Sequence, residues 1–500
     1  MKRLLTVLVA SLALVLAAGV GTAWAGGLPG GELPAGQSQS IDQSQNATNS
    51  IDQTANAQSV AVNASPNVAI GNSGSVDQSS NASSGAVAVN KNESTQDNNL
   101  SNDAEQSQSG ALADDNTHGS CCERTSKQPG SQTQDTNQSQ NASNSISQDA
   151  KANSVAVNAS PNVAVLNSGG CGECGGGVNQ SSNASSGALA VNKNQSRQNN
   201  SLQNDADQSQ AGGQGACCDN GSGQSQSISQ DQTASNSIDQ TARAHSFALN
   251  ASPNVAVLNS GPVDQSSDAS SQAVAVNKNQ SQQNNSLQND ADQSQAGGQG
   301  ACCDKGSGQS QSSSQDQTAS NSISQDAESN SAAVNASPNV AVLNSGGCGE
   351  CGGGVQQSSG AESGAFAGNQ NRAEQSNDLS QNAEQSQEGG SGCCGRGDQS
   401  QSIDQTQDAS NSIDRTATAK SFALNASPNV AILNSGSVDQ RSNAASAAVA
   451  KNENESSQSN TLNQQADQQQ SGGNEGCGCD KGCGDCCQPC CQNRCERSCD

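Results

Sequence analysis

Short stretches in which apolar residues alternate with small or polar ones recur along the chain. Ser59-Val60-Ala61-Val62-Asn63 is one, Ala86-Val87-Ala88-Val89-Asn90 a second, and Asn162-Val163-Ala164-Val165-Leu166-Asn167 a third. Alternation at period two with Val and Ile is the signature of a β-strand. Between these stretches run polar phrases: Ser40-Ile41-Asp42-Gln43, Ser50-Ile51-Asp52-Gln53 and Ser75-Val76-Asp77-Gln78 echo one another. The pattern reads as strand, polar turn, strand, polar turn, with strands of roughly four to six residues. Gln- and Ala-rich segments such as Ser201-Leu202-Gln203-Asn204-Asp205-Ala206 leave short helix or coil open.

The alternating stretches belong to a larger repeat. Its marker, Asn-Ala-Ser-Pro-Asn-Val-Ala, places prolines at Pro66, Pro161, Pro253, Pro338 and Pro428, spaced 95, 92, 85 and 90 residues apart. The chain divides into a leader (1–25), a linker (26–36), five units (37–130, 131–223, 224–308, 309–398, 399–476) and a Cys-rich tail (477–500). A unit this long exceeds common solenoid periods and should contain several smaller coils. In Ser-Pro-Asn, Pro presets φ for a turn and Asn tolerates the left-handed region. The expectation is an all-β fold of repetitive β-solenoid or β-roll-like units joined by disordered Gln/Ser/Gly-rich linkers. Stacked copies would bury a thin core of Val, Ile and Ala, with Asn, Gln and Ser forming hydrogen-bonded ladders between coils. Val62, Val157, Leu249, Val334 and Leu424 are expected to face inward, where a charge should cost several kcal/mol. The units are of two kinds. One, three and five carry Ser-Ile-Asp at Ser50, Ser237 and Ser412, while two and four carry Ser-Ile-Ser at Ser145 and Ser322. The structural period is therefore expected to be a pair of units.

Composition qualifies this picture. Only 30% of residues are hydrophobic, there is no Tyr, and the aromatic residues beyond the leader are Phe247, Phe366 and Phe422. A conventional globular core needs more, and without its repeats such a chain would read as disordered. Lys2 and Arg3, an apolar run from Leu4 to about Val20 and Ala23-Trp24-Ala25 make a secretory signal peptide cleaved after Ala25. The formal net charge is −26. Such a chain should repel nucleic acid, and no later apolar run predicts membrane insertion of the mature chain. His118 and His245 are the only histidines and hold non-equivalent places, and no Ser/His/Asp set, phosphate loop or calcium repeat appears. An enzyme is not expected, nor is a cofactor.

Cysteine is the one reactive residue used systematically. Adjacent pairs close the first four units: Cys121-Cys122, Cys217-Cys218, Cys302-Cys303 and Cys393-Cys394. Units two and four alone insert Gly-Cys-Gly-Glu-Cys-Gly-Gly-Gly, with Cys171 and Cys174 in one and Cys348 and Cys351 in the other. The tail holds Cys477, Cys479, Cys483, Cys486, Cys487, Cys490, Cys491, Cys495 and Cys499. In an exported chain disulfides are the default, and adjacent cysteines must reach outward to other sulfurs. The competing reading gives the tail thiolates zinc or copper.

Ser50-Ile51-Asp52-Gln53 and Gln78-Ser79-Ser80-Asn81-Ala82 resemble the Ser…Gln…Asn-x-Ala…Gln grammar of curlin repeats, the subunits of bacterial amyloid fibres. Asn153-Ser154-Val155-Ala156-Val157 is similar to the β-roll head repeats of trimeric autotransporter adhesins. Both resemblances imply a β-rich extracellular assembly. The expected function is a secreted structural protein that self-associates into a fibre, matrix or coat at or beyond the cell surface, cross-linked by its cysteines. The alternatives are a secreted thiolate-rich metal binder and an adhesin that meets cell-surface components.

Overall fold

The computed structural model describes residues 36–109, 131–167, 176–212, 223–297, 308–344, 354–389 and 399–471. Each repeat contributes three strands. They are β1 (Gly36–Asn63), β2 (Asn67–Ile70) and β3 (Val76–Ser109) in the first and β4 (Ser131–Asn158), β5 (Asn162–Val165) and β6 (Val178–Ala211) in the second. The third holds β7 (Gln224–Asn250), β8 (Asn254–Val257) and β9 (Val263–Ala296), and the fourth β10 (Gln309–Asn335), β11 (Asn339–Val342) and β12 (Val355–Glu388). The fifth holds β13 (Gln399–Asn425), β14 (Asn429–Ile432) and β15 (Val438–Ser471). Strands of one kind pair only with their own kind, in three parallel sheets ordered β1-β4-β7-β10-β13, β2-β5-β8-β11-β14 and β3-β6-β9-β12-β15.

Two differences from the sequence reading follow. One repeat is one rung of the solenoid, not several coils, and its long strands run 27 to 34 residues. The polar phrases are strand rather than turn: Ile41 and Ile51 lie ten residues apart on β1, an even spacing that keeps both on one face. Ser201–Ala206 likewise continues β6 as strand. Each rung runs out along one long strand, crosses the short one and returns along the other. At ~3.3 Å per residue and ~4.8 Å per rung, the stack is a ribbon roughly 110 Å wide and about 24 Å tall.

The two long sheets pack face to face, and their inward residues overturn the expected core. Ala156 and Ala248 are fully buried, while their neighbours Val157 and Leu249 point outward, as do Val62 (65% exposed), Val334 and Leu424. Inside lie columns of Ala, Ile and Leu, as in the cluster of Ile51, Ile146, Ile238 and Ile323. Between them stand buried Gln, Asn and Ser. Where Ala faces Ala, as at Ala88, Ala152, Ala190 and Ala244, the small side chains let the sheets close. Elsewhere the amides fill the gap and bond in both directions, which a row of Val cannot do. The turn chemistry also differs. Asn162 begins the short strand with its amide inward, and the left-handed residue comes four positions later, at Gly71, Leu166, Leu258, Leu343 and Leu433.

Candidate functional site

The ladders define what the ends of the stack present. In the column Gln43, Gln138, Gln230, Gln315 and Gln405, each Nε2 donates to the Oε1 of the rung before, at 3.0, 2.9, 2.8 and 2.8 Å. The same nitrogen reaches across the sandwich; Gln230 also donates to the Asp290 carbonyl at 2.8 Å. The column of Asn67, Asn162, Asn254, Asn339 and Asn429 runs the other way, each Nδ2 donating to the next rung at 2.8–2.9 Å. Serine hydroxyls zigzag between the sheets from Ser59 to Ser84, Ser154, Ser186, Ser246 and Ser271 at 2.8–2.9 Å a step.

These ladders are directional, so the last rung ends on groups the first can meet. Gln405 and its neighbour Gln407 have given their Nε2 to rung four. The Gln407 Oε1 is shielded from solvent and has no partner among the described residues, as do Nε and Nη1 of Arg415, which replaces Gln53 in its column. The two end rungs also match in length. Gln37 shares a column with Gln399, and Ser109 with Ser471; 399 − 37 and 471 − 109 both give 362. Inner steps do not keep one offset: β1 to β4 is 95 residues, β3 to β6 is 102. Rungs one, three and five share one internal spacing, and two and four another, so the end rungs are of one kind and superpose without a gap.

No protein-family model, characterised protein or solved structure matches this chain.

The outward columns carry the charge. One reads Asp52, Ser147, Asp239, Ser324, Asp414; two residues on, the next reads Thr54, Asp149, Thr241, Asp326, Thr416. Carboxylates thus alternate like a checkerboard, which gives the two kinds of unit a physical reason. The rule is broken at Asp231, which stacks on Asp316 in the first sheet, and near the open end of the long return strand. There Asp103, Asp205 and Asp290 stack directly, beside Glu105, Asp207, Asp292 and Glu384. Partial burial, then the charges of Asp290, Asp207, Glu384 and Asp205, raise the Asp292 carboxyl to about 6. Asp205 and Asp207 are raised as well, by burial first and then by neighbouring carboxylates. Asp231 moves the same way through burial and the charge of Asp316.

Among the described residues no group of three or more His, Cys, Asp or Glu side chains is placed to hold a metal ion. His245 stands on the outer face of β7 beside Asn330, with its Nδ1 3.2 Å from the Asn330 Nδ2. Among the described residues the surface offers an open groove of about 500 Å³ over Lys91, Lys193, Lys278 and Arg372. The leader, His118, the pairs from Cys121-Cys122 to Cys393-Cys394, the loop cysteines Cys171, Cys174, Cys348 and Cys351, and the tail cysteines Cys477 to Cys499 lie outside the described residues. The described residues therefore include no cysteine, and the rung edges are not singled out by sequence reasoning. Their matching length has a signal in the sequence: units one, three and five run without the Cys-bearing insertion from Asn-Ser-Gly into Val-Asp-Gln.

Proposed function

We propose that this is an exported structural protein that polymerises along its stacking axis, the fifth rung of one copy receiving the first rung of the next, to build an extracellular fibre, matrix or coat. The single observation that carries this reading is that the Gln and Asn ladders run to both open edges, each leaving donors on one edge and acceptors on the other, on end rungs that match without a gap at an offset of 362. In such a joint Gln45 brings its Nε2 to the orphaned Gln407 Oε1, and Gln53 comes to lie against Arg415. Open, in-register edges are templates for further pairing. The cysteines, in units and tail, would then fix neighbouring copies covalently, as an oxidising compartment allows.

Fibre diffraction and electron microscopy of purified, oxidised protein test this. Filaments with a meridional reflection near ~4.8 Å are expected. A chain that stays monomeric at high concentration, in acid and in salt, would sink the proposal. For the cysteines, a non-reducing gel should show multimers that collapse with reductant and diminish on truncation after Gln470.

A further inference from the structure

The outer surface near the short strands is apolar on three sides. Val60, Val155, Phe247 and Phe422 share one outward column of the first sheet, and Val62, Val157, Leu249 and Leu424 the next. Val68 and Ile70 continue it on the short sheet, and Val87 and Val89 on the return sheet. All three phenylalanines of the chain stand in this belt, Phe366 lying over Gly368 on the return sheet. Phe422 is 54% exposed and Ile70 67%. The interior is built from Ala, so a chain this poor in large apolar residues spends most of its Val and Phe on the outside.

We propose that the belt is a lateral interface that packs against the belt of a second copy of this chain, so that ribbons pair side by side. Three features favour that occupant. Four of its six columns present a branched or aromatic side chain on every rung, at a pitch of ~4.8 Å, with Ala332, Gly368 and Lys451 interrupting the other two, and the surface sure to offer the same pitch for interdigitation is another copy. None of the 46 acidic residues falls in its columns, so two copies of net charge −26 can meet there without apposing carboxylates. Five rungs high and wrapped round three sides, it covers on the order of 900 Å², above the few hundred a monomer leaves exposed. Lateral pairing is separate from axial growth, because the belt involves no rung edge.

The test is sedimentation equilibrium at pH 8 and low salt, where apposed end-rung carboxylates oppose axial growth, with reductant present. Wild-type chain is compared with Val157→Glu/Leu249→Glu in the belt and Ser145→Glu/Ser237→Glu outside it. All four side chains point outward, and circular dichroism confirms that strand content is kept; Val157→Ser/Leu249→Ser stands in if the glutamates unfold the chain. The expected result is a dimer for wild type and control and a twofold fall in mass for the belt variant. Two outcomes overturn the proposal: a belt variant that stays dimeric, or a monomeric wild type, including one that sediments with phosphatidylcholine vesicles and loses that on belt substitution. Sedimentation of that kind would assign the belt to a lipid surface.

Discussion

Ala156 and Val157 are neighbours on β4 and point to opposite sides. Ala156 is fully buried between the sheets, where a carboxylate meets no cation and no water. Ala156→Asp should cost several kcal/mol, roughly 3–5, and lose the cooperative melt. Val157→Asp, on the outer face, should cost only about 1 kcal/mol, mostly strand preference. Thermal melts of the two variants check this contrast, and equal losses would mean the facing is wrong. The corner makes a second residue-scale prediction. Leu258 holds φ 57°, a region costly to a branched side chain, while its N–H bonds the Val342 carbonyl at 3.0 Å. The first rung has Gly71 at this place. Leu258→Gly should therefore stabilise by about 0.5–1 kcal/mol, read as a raised urea midpoint.

The long strands are held by register more than by hydrophobicity. A one-residue slip would turn every inward amide out and bring every outward Asp in, so pairing is strongly specified. Alternation of Asp between columns serves the same end, keeping like charges from sitting directly above one another at ~4.8 Å. Where the return sheet stacks carboxylates regardless, folding and proton binding are linked. Asp292 holds its proton more tightly in the folded chain, with a pKa near 6 against an ordinary 3.8. Between these values the folded state binds more protons, so stability is greatest in acid and falls as pH rises through that window. The side chain is largely open to solvent, so screening tempers the effect. The melting temperature should drop from pH 4 to pH 7. Asp292→Asn should raise it at pH 8 and flatten the profile; an unchanged profile would remove the carboxylate column as its cause.

Among the described residues each rung touches only its neighbours, so stability accumulates rung by rung and the two end rungs are its exposed faces. The checkerboard that protects inner rungs fails at an end-to-end joint. There Asp52 comes over Asp414, Asp42 over Asp404 and Asp77 over Asp439, with Lys91 over Glu453 the favourable exception. Axial growth should therefore speed up in acid and in salt, where these pairs are neutralised or screened. Asp414→Ser, the residue found at this place in units two and four, should shorten the lag at pH 7 and weaken the salt dependence. Thioflavin kinetics at several ionic strengths would show it. Growth that is fastest at low salt would place the joint elsewhere.

Period-two alternation, the five copies and the Asn, Gln and Ser ladders are all legible in the sequence, because each depends only on spacing along the chain. The even separation of Ile41 and Ile51 and the equal length of the first and fifth rungs are legible in the same way. What the sequence left open is which face of each strand turns inward. Alternation looks the same when the faces are exchanged, and hydrophobicity alone favours Val over Ala. The second sheet decides it: two sheets close only over side chains that are small or that bond on both sides, so Ala, Ser, Asn and Gln go in and Val goes out. Rung length was undecided for a like reason. A polar phrase such as Ser50-Ile51-Asp52-Gln53 is a turn in isolation and a strand once Ser145-Ile146-Ser147-Gln148 lies in register beside it.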